Sequence, residues 1–471
     1  MRGRLVVVGD ALLDRDIDGR AERLSPESAA PVLDKVVETT RPGGAALAAV
    51  MAAADGADVV LVTAISDDEP GTELRQGVER GGVRVVNLGL EGPTPEKVRV
   101  RAQGRSLVRI DRGCDRIGEI GPVTEDAGDI LSRCDGVLVA DYGRGVARHP
   151  DLRGLLEACA KRAPVVWDPH PKGARPVTGV RLATPNRSEA SQLAQGIGGE
   201  DLSAVTARAH QLKRKWQAAN VAVTLGEEGA LLVAGDAAPM MFPAARATGD
   251  SCGAGDRFSS AAALALMDGS LPSDAVARAV DVASAFVGGG VIKAFGNVPG
   301  AIASTSSSPG TLVGEPAPTE EALRLVGEVR RRGGTVVATG GCFDILHAGH
   351  LQLLRSARSL GDCLIVLLNS DRSVRKLKGP DRPLVTEHER AAILNALTCV
   401  DAVVVFDEDT PAEMLEILRP DIFAKGADYA LSNLPETAVL ARWGGQVVIL
   451  PYLRDRSTTA LLNRLTGRGA G

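Results

Sequence analysis

Short runs of β-branched and aliphatic residues alternate along this chain with segments whose apolar positions repeat at helical spacing. The runs predict strands at residues 5–8, 59–63, 136–140, 165–168, 221–224, 335–338, 363–368, 402–406 and 446–450. Helical spacing is clear, for example, at residues 152–159 and 390–397. Strands that alternate with helices form βαβ units, whose parallel sheets are covered by helices on both faces. The pattern therefore predicts an α/β fold.

One region departs from this alternation. Residues 30–37 and 97–111 alternate apolar and polar side chains about a turn at Gln103 and Gly104. This pattern predicts an antiparallel sheet that projects from the main body. Such a sheet is either a lid over a ligand or an ordinary edge hairpin, and the pattern alone favours neither.

A change of composition near residue 300 indicates a domain boundary. Residues 301–318 are rich in Ser, Pro and Gly and lack periodicity, which is typical of a linker. A helix is expected to begin at Thr319 and to lead to a new strand near Thr335. We therefore predict one domain at 1–300, a linker and connecting helix at 301–333, and a second domain at 334–471.

The composition narrows the class of protein. Of the 471 residues 44% are hydrophobic and 24% charged, which is typical of a soluble globular protein. The net charge of -5, without a dense basic block, argues against a nucleic-acid partner. The seven cysteines are scattered without a CxxC pair, which disfavours disulfides and zinc. The first apolar run is too short for a signal peptide, and no run is long enough to span a membrane. We expect a cytoplasmic protein.

The most specific motif occupies residues 339–350 and follows a predicted strand directly. His347 and His350 are three residues apart at the start of a helix, so both imidazoles share one face beside free backbone N–H groups. These donors suit the charge that develops on a phosphate during nucleotidyl transfer. Two alternatives remain open: a metal site that includes Asp344, and a purely structural role for both histidines.

A second motif precedes the helix predicted at 258–267. Gly253, Ala254 and Gly255 would expose backbone N–H groups as an anion hole, and Asp256 could accept a proton from a sugar hydroxyl. Taken alone, Asp256 could equally be an N-cap residue. The segment 186–189 offers an amide and a carboxylate near bound phosphates and Mg²⁺. No GxxxxGK[ST] sequence is present, so this is not a P-loop enzyme.

These motifs carry resemblances to known families. Residues 1–300 resemble the ribokinase-like (PfkB-type) sugar kinases, and His347-Ala348-Gly349-His350 resembles the HxGH signature of the cytidylyltransferase-like nucleotidyltransferases. In the order of its two domains, with the kinase first and the transferase second, the chain resembles the bifunctional heptose 7-phosphate kinase/heptose 1-phosphate adenylyltransferases. The resemblance implies a ribokinase-like domain with a β-lid, followed by a Rossmann-like nucleotidyltransferase domain.

The resemblance also implies roles for individual residues. Asp256 would be the general base of the kinase, and His347 and His350 would stabilise the transition state of the transferase. ATP and its phosphates would be bound by Asn186, Arg187, Ser188, Glu189, Thr224, Gly226, Gly253, Ala254, Gly255, Phe343, Asp344, Lys376, Ser457, Thr458 and Thr459, with Lys378 as a second lysine that would neutralise phosphates. The sugar would contact Asp14, Gly43 and Gly44. Mg²⁺ would have no direct protein ligand and would act through Glu189 and the phosphates.

The implied reactions are phosphorylation of D-glycero-D-manno-heptose 7-phosphate at O1 and transfer of AMP from ATP to heptose 1-phosphate. The expected partners are therefore heptose phosphates and ATP, with a homodimer formed through the kinase domain. Three departures from the kinase pattern leave alternatives open: Leu47 stands where these kinases usually have an asparagine that contacts a sugar hydroxyl, Arg144 replaces the usual lysine, and Arg257 stands where threonine is common. One alternative is the same chemistry on another sugar or polyol phosphate or with CTP, and the other is a sugar-binding N-terminal domain without kinase activity.

Overall fold

The computed structural model describes residues 3–25, 28, 30–103, 105–114, 118–235, 238–289, 319–427 and 434–451. The chain forms two compact units, one of residues 1–232 with 244–297 and one of residues 233–243 with 298–471. The predicted linker at 301–318 lies outside the described residues, and the predicted division at 300 and 333 stays a prediction.

The first unit contains a sheet in the order β14-β13-β12-β11-β10-β1-β4-β5, whose strands from β13 to β5 pair in parallel. Its strands are β1 (Arg4–Gly9), β4 (Asp58–Thr63), β5 (Arg84–Asn87), β10 (Gly136–Ala140), β11 (Val165–Asp168), β12 (Leu182–Ala183), β13 (Asn220–Thr224) and β14 (Ala230–Ala234). Its helices are α1 (Ala45–Ala54), α2 (Glu69–Arg80), α3 (Glu125–Arg133), α4 (Pro150–Ala160), α5 (Arg187–Leu193), α6 (Leu202–Trp216), α7 (Ala254–Met267) and α8 (Pro272–Gly289). Continuous apolar strands such as β1 are buried because helices cover both faces.

A separate four-stranded sheet, which we call the lid, has the order β3-β2-β7-β8. Its strands are β2 (Ala11–Leu24), β3 (Pro31–Gly44), β7 (Glu96–Ala102) and β8 (Arg105–Arg112), and β6 (Leu90–Glu91) pairs with β9 (Glu119–Ile120) nearby. The prediction of an antiparallel sheet is correct for the β2–β3 and β7–β8 pairs but wrong for the central pair, because β2 and β7 run parallel. Strands β2 and β7 are not joined by a hairpin, so local alternation could not reveal their direction.

The second unit has a parallel sheet in the order β18-β17-β16-β19-β20-β15. Its strands are β15 (Met240–Phe242), β16 (Val336–Gly341), β17 (Cys363–Asn369), β18 (Ala402–Phe406), β19 (Ile422–Ala427) and β20 (Gln446–Pro451). Its helices are α9 (Thr319–Arg331), α10 (Ala348–Arg358), α11 (Asp371–Lys378), α12 (Glu387–Asn395), α13 (Ala412–Leu418) and α14 (Pro435–Leu440).

All nine strands predicted from the hydrophobic runs are present, with ends that differ from the prediction by at most three residues. The α/β prediction is therefore confirmed. Helix α7 begins at Ala254 rather than at residue 258, which brings Asp256 into its first turn. Among the described residues, no helix combines the length and the apolar character needed to cross a membrane.

Candidate active sites

A cavity of about 700 Å³ in the first unit brings together residues that lie far apart in the sequence. Seven of the residues predicted to bind ATP line it: Asn186, Arg187, Ser188, Thr224, Gly226, Ala254 and Gly255. Asn186 and Thr224 are paired by an isolated parallel bridge, so the loops after β12 and β13 reach the cavity side by side. Phe258, Val280 and Val287 supply apolar wall. A polar rim over an apolar wall suits a nucleotide.

The predicted amide and carboxylate, Asn186 and Glu189, form a capping box at the start of α5. The Asn186 side chain accepts from the Glu189 N–H at 2.9 Å, and Glu189 Oε2 accepts from the Asn186 N–H at 2.8 Å. Burial raises the pKa of Glu189. The second carboxylate oxygen is not used by the cap, so Glu189 can hold a hydrated Mg²⁺. Among the described residues, no three His, Cys, Asp or Glu side chains form a group that could bind a metal.

The predicted anion hole is the amino end of α7, where N–H groups of the first turn have no partner within the helix. Gly253 caps the helix with φ of 82°, and a Cβ there would lie 2.9 Å from a methyl of Leu47, so both conformation and space favour glycine. Asp256 is the third helical residue and is 6% exposed. Burial raises its pKa to about 7, although a hydrogen bond from Tyr142 lowers it.

The face of the lid that carries Asp14 is a cluster of alternating charges. Asp14 and Asp16 on β2 face Arg99 on β7 and Arg41 on β3, with Arg99 Nη1 at 3.1 Å from Asp14 Oδ1. The side chains are 5–16% exposed. Among the described residues, Oδ1 of both aspartates, Nε of Arg41 and Nη1 of Arg99 make ion-pair contacts of 3.1–3.8 Å within the cluster but no well-aligned hydrogen bond. Hydroxyl groups of a ligand could complete their hydrogen bonding.

Of these four residues, only Asp14 was predicted from the sequence to contact the sugar. A signal was present, because Lys97, Arg99 and Arg101 alternate along one strand and therefore share a face. Their carboxylate partners on β2 are about 80 residues away, and only the parallel β2–β7 register brings the two sets together.

The two predicted sugar-contacting glycines lie beside Asp14. A Cβ at Gly43 would be 3.0 Å from Asp14 Cγ, and a Cβ at Gly44, where φ is 61°, would be 2.6 Å from the Asp10 carbonyl oxygen. A side chain at Gly43 would collide with Leu12 and Asp14, and one at Gly44 would collide with the Asp10 backbone. The structure thus brings Asp14, Gly43 and Gly44 together.

Each departure from the kinase pattern has a structural explanation. Leu47 packs with Met51 and Phe286 beneath the helix cap instead of facing a sugar. Arg257 points away from the anion hole and makes two hydrogen bonds to Asp55, at 2.7 and 2.9 Å. Arg144 donates to the carbonyl oxygens of residues 113 and 114. None of the three removes a group from the anion hole or from Asp256.

In the second unit, the two histidines of the 347–350 motif meet as predicted. Their rings stack with centroids 3.9 Å apart and an angle of 27°. His347 is the N-cap of α10, and its Nδ1 accepts from the Gly349 N–H at 3.2 Å, which leaves Nε2–H as a donor. Burial lowers the pKa of His350 to about 4, and protonation of the neighbouring His347 would oppose a second positive charge on this ring.

Asp344 supports the loop that follows α11 rather than a metal. Its Oδ1 accepts from the N–H groups of Leu384, at 2.7 Å, and Val385, at 3.2 Å, while Oδ2 pairs with Arg382. Both carboxylate oxygens of Asp344 are therefore already engaged by the protein, which argues against the alternative of a metal site that includes Asp344. Phe343, predicted to bind ATP, has φ of 43° and holds its ring 5.2 Å from that of His350.

The remaining predicted phosphate contacts divide into two groups. Lys376 is paired with Asp409 at the surface, whereas the charge of Lys378 reaches His350 and lowers its pKa. Lys376 is thus engaged with a carboxylate, and Lys378 contributes positive charge to the environment of His350. The predicted triphosphate contacts Ser457, Thr458 and Thr459 lie outside the described residues.

Comparison with known proteins agrees with this division of the chemistry. Residues 2–290 match the pfkB family carbohydrate kinases, and residues 338–461 match the cytidylyltransferase-like family. The bifunctional protein HldE of Streptomyces coelicolor is 49% identical over 98% of this chain and 96% of that protein. The bifunctional protein HldE of Syntrophotalea carbinolica is 36% identical over 99% of this chain and 96% of that protein.

Among solved structures, a ribokinase from Arabidopsis thaliana aligns with a TM-score of 0.48 and 23% identity, over 61% of this chain and 93% of that one. The family models and the full-length relatives confirm the resemblance that the motifs carried. The chain therefore belongs to the family of bifunctional HldE proteins and is a bifunctional enzyme, a carbohydrate kinase followed by an adenylyltransferase.

Proposed function

We propose that the first unit phosphorylates O1 of D-glycero-D-manno-heptose 7-phosphate with ATP. The observation that carries this proposal is the position of Asp256. It follows Ala254 and Gly255, which line the 700 Å³ cavity, and its electrostatic neighbours include Asp14 of the lid cluster. A carboxylate so placed can take the proton of a sugar hydroxyl while that oxygen attacks the γ-phosphorus of ATP.

The charged cluster on the lid supports a polyhydroxylated substrate. Asp14 and Asp16 would accept hydrogen bonds from sugar hydroxyls, while Arg41 and Arg99 would donate to sugar oxygens. A ligand whose hydroxyls hydrogen-bond these buried charged groups gains affinity over one that lacks a hydroxyl, because the missing hydroxyl leaves a buried polar group without that bond. Gly43 and Gly44 allow the sugar to approach the backbone.

Mg²⁺ would be held through water by Glu189 and directly by ATP phosphates. When bound, it neutralises the phosphate charge that develops during transfer. The protein itself contributes the first-turn N–H groups of α7, which would stabilise the transferring phosphoryl group, and Asp256, which removes the proton.

The second unit would transfer AMP from ATP to heptose 1-phosphate, giving ADP-heptose and pyrophosphate. The sugar phosphate oxygen attacks the α-phosphorus, and pyrophosphate leaves without a covalent enzyme intermediate. Nε2–H of His347 and the ring of His350 would hydrogen-bond the charged phosphate oxygens, and Lys378 would add positive charge. The intervening removal of the 7-phosphate requires a separate phosphatase.

A homodimer through the lid forms part of the proposal. Val36, Val37, Leu107, Val108 and Ile110 on strands β3 and β8 are 42–60% exposed. Strands β3 and β8 are the two edge strands of the projecting sheet, and exposed apolar side chains on edge strands are typical of a surface that a second copy covers. Light scattering should give twice the mass of the chain at micromolar concentration, and Val108→Asp should give the monomer. A wild-type monomer would refute the dimer.

Two half-reaction assays test the assignment of roles. Asp256→Asn should abolish formation of the sugar bisphosphate yet retain adenylyl transfer to supplied heptose 1-phosphate. His347→Asn should do the reverse. If either variant loses both activities while remaining folded, the assignment of one reaction to each unit is wrong. We infer a cytoplasmic location from the use of ATP in both reactions, and cell fractionation would test it.

A further inference from the structure

Tyr142 contacts the proposed general base, although nothing in the kinase chemistry described above requires a tyrosine. It lies just after β10, and its phenol oxygen donates to Asp256 Oδ1 at 2.6 Å. A bond of this length is typical of a hydroxyl that donates to a charged carboxylate. One of the two oxygens of the base is thus already engaged, which leaves Oδ2 to accept a substrate proton.

The position of Tyr142 is fixed by its surroundings. Its N–H donates to Asp10 Oδ2 at 2.9 Å, and the same carboxylate also accepts from the N–H groups of Arg144, at 2.9 Å, and Val146, at 3.0 Å. The ring packs closely against Gly44, where a Cβ would lie 3.3 Å from it. A hydrogen-bond donor held this firmly loses little entropy when it orients a partner.

The lid adds a positive charge at this point. Lys97 on β7 holds its ammonium nitrogen 5.1 Å from the centroid of the Tyr142 ring. A cation over the face of an aromatic ring is attracted to it and helps to fix it. The same charge favours the ionised form of Asp256.

The groups that face Asp256 act on its ionisation in opposite directions. They are Asp14 on β2, Lys97 on β7, the neutral phenol of Tyr142 after β10, Asp168 on β11 and Glu189 on α5. Burial and the three carboxylates favour the protonated base, which cannot accept a proton. Among these neighbours, only the tyrosine hydroxyl and the lysine favour the ionised base. The phenol remains a donor throughout the working range, because burial raises the pKa of Tyr142.

We propose that Tyr142, held in place by Asp10 and Lys97, is a positioning residue that keeps Asp256 oriented and ionised for proton abstraction from the sugar. This inference rests on the proposed role of Asp256 as general base. It makes the lid part of the catalytic apparatus, because Lys97 belongs to β7, and it predicts that the two groups act on the pH dependence of the reaction.

The test is the pH profile of kinase kcat/KM for heptose 7-phosphate in the full-length enzyme. Tyr142→Phe should shift the midpoint of the acid limb to a pH about one unit higher. From a wild-type midpoint near 7, the rate at pH 6.5 should fall about eightfold, whereas the rate at pH 9 should stay within about threefold. Lys97→Met should move the limb in the same direction by less. Lys161→Met, at the exposed end of α4, is the matched charge control and should leave the midpoint unchanged.

Several outcomes would overturn the inference. An unchanged or lowered midpoint in Tyr142→Phe, with only kcat or KM reduced, would mean that the tyrosine binds substrate or supports the fold. Adenylyl transfer by the same preparation verifies that each variant is folded, and Lys97→Met provides a second readout if Tyr142→Phe is not. Asp256→Asn separates the two proposals. If the Asp256→Asn enzyme is active, Asp256 is not the general base. If Asp256→Asn is inactive and Tyr142→Phe leaves the pH profile unshifted, only the role of Tyr142 is refuted.

Discussion

The burial of Asp256 makes a prediction about stability that can be worked out from the structure. Its pKa is raised from 3.8 to about 7, because burial disfavours the carboxylate. The folded state therefore holds the proton more tightly than the unfolded state, and stability falls as the pH rises from about 4 to 7. A difference of about three pKa units corresponds to about 4 kcal/mol, present in full below pH 4 and lost above pH 7.

Asp256→Asn removes this titration. The neutral amide cannot ionise, although burying it costs about 1–3 kcal/mol of its own. We expect the variant to be less stable than wild type at pH 4.5 and more stable by about 1–3 kcal/mol at pH 8, while kinase activity is lost. The catalytic group would then be retained at the expense of stability.

Urea unfolding at pH 4.5, 6, 7 and 8 measures this difference. Both proteins should carry Trp443→Phe, so that the fluorescence change reports only the first unit through Trp167 and Trp216. Asp129→Asn, at an exposed position on α3, is the matched control and should change the free energy of unfolding by less than about 0.5 kcal/mol at every pH. A difference between Asp256→Asn and wild type that stays constant from pH 4.5 to 8 would refute the reasoning.

Three further predictions concern the departures and the transferase. Arg257→Thr restores the usual kinase residue and breaks the two charged hydrogen bonds to Asp55. It should therefore lower the free energy of unfolding by about 1–3 kcal/mol. Kinase kcat/KM should stay within about threefold of the wild-type value. Leu47→Asn should lower the free energy of unfolding by about 2–4 kcal/mol in urea titrations, because it buries an amide among apolar side chains, and should not raise kinase activity. His350 should be neutral above about pH 5, since its pKa is lowered to about 4, so kcat/KM for ATP in adenylyl transfer should show no ionisation of this group between pH 6 and 8.

Each of these predictions has a clear contradiction. A large loss of kinase activity in a stable Arg257→Thr enzyme would mean that Arg257 acts in the site. Higher kinase activity in Leu47→Asn would show that position 47 meets the sugar. If kcat/KM for ATP in adenylyl transfer shows an ionisation between pH 6 and 8 that disappears in His350→Asn, the prediction that His350 is neutral in this range is wrong.

Much of the architecture followed from local pattern. The strands were predictable because parallel strands covered on both faces are continuous apolar runs, such as Leu5 to Val8. The catalytic candidates were predictable because an anion hole requires small residues at a helix start, and Gly253 to Asp256 stand next to one another in the chain.

What the sequence did not reveal depends on long-range contacts. The partner of Arg257 is Asp55, about 200 residues earlier, and the partners of Arg99 lie on β2. Tyr142 is 114 residues from Asp256, so no local pattern indicates that the two share a hydrogen bond. The parallel pairing of β2 with β7 could not be predicted for the same reason, since alternation reports a face but not a neighbour.

The most direct test of the two-step account is product analysis by mass spectrometry. The purified protein is incubated with Mg²⁺, ATP and D-glycero-D-manno-heptose 7-phosphate, with and without a sugar-bisphosphate phosphatase. The account predicts heptose 1,7-bisphosphate without the phosphatase and ADP-heptose with it. The absence of bisphosphate, while supplied heptose 1-phosphate is still converted to ADP-heptose, would contradict the proposed kinase substrate.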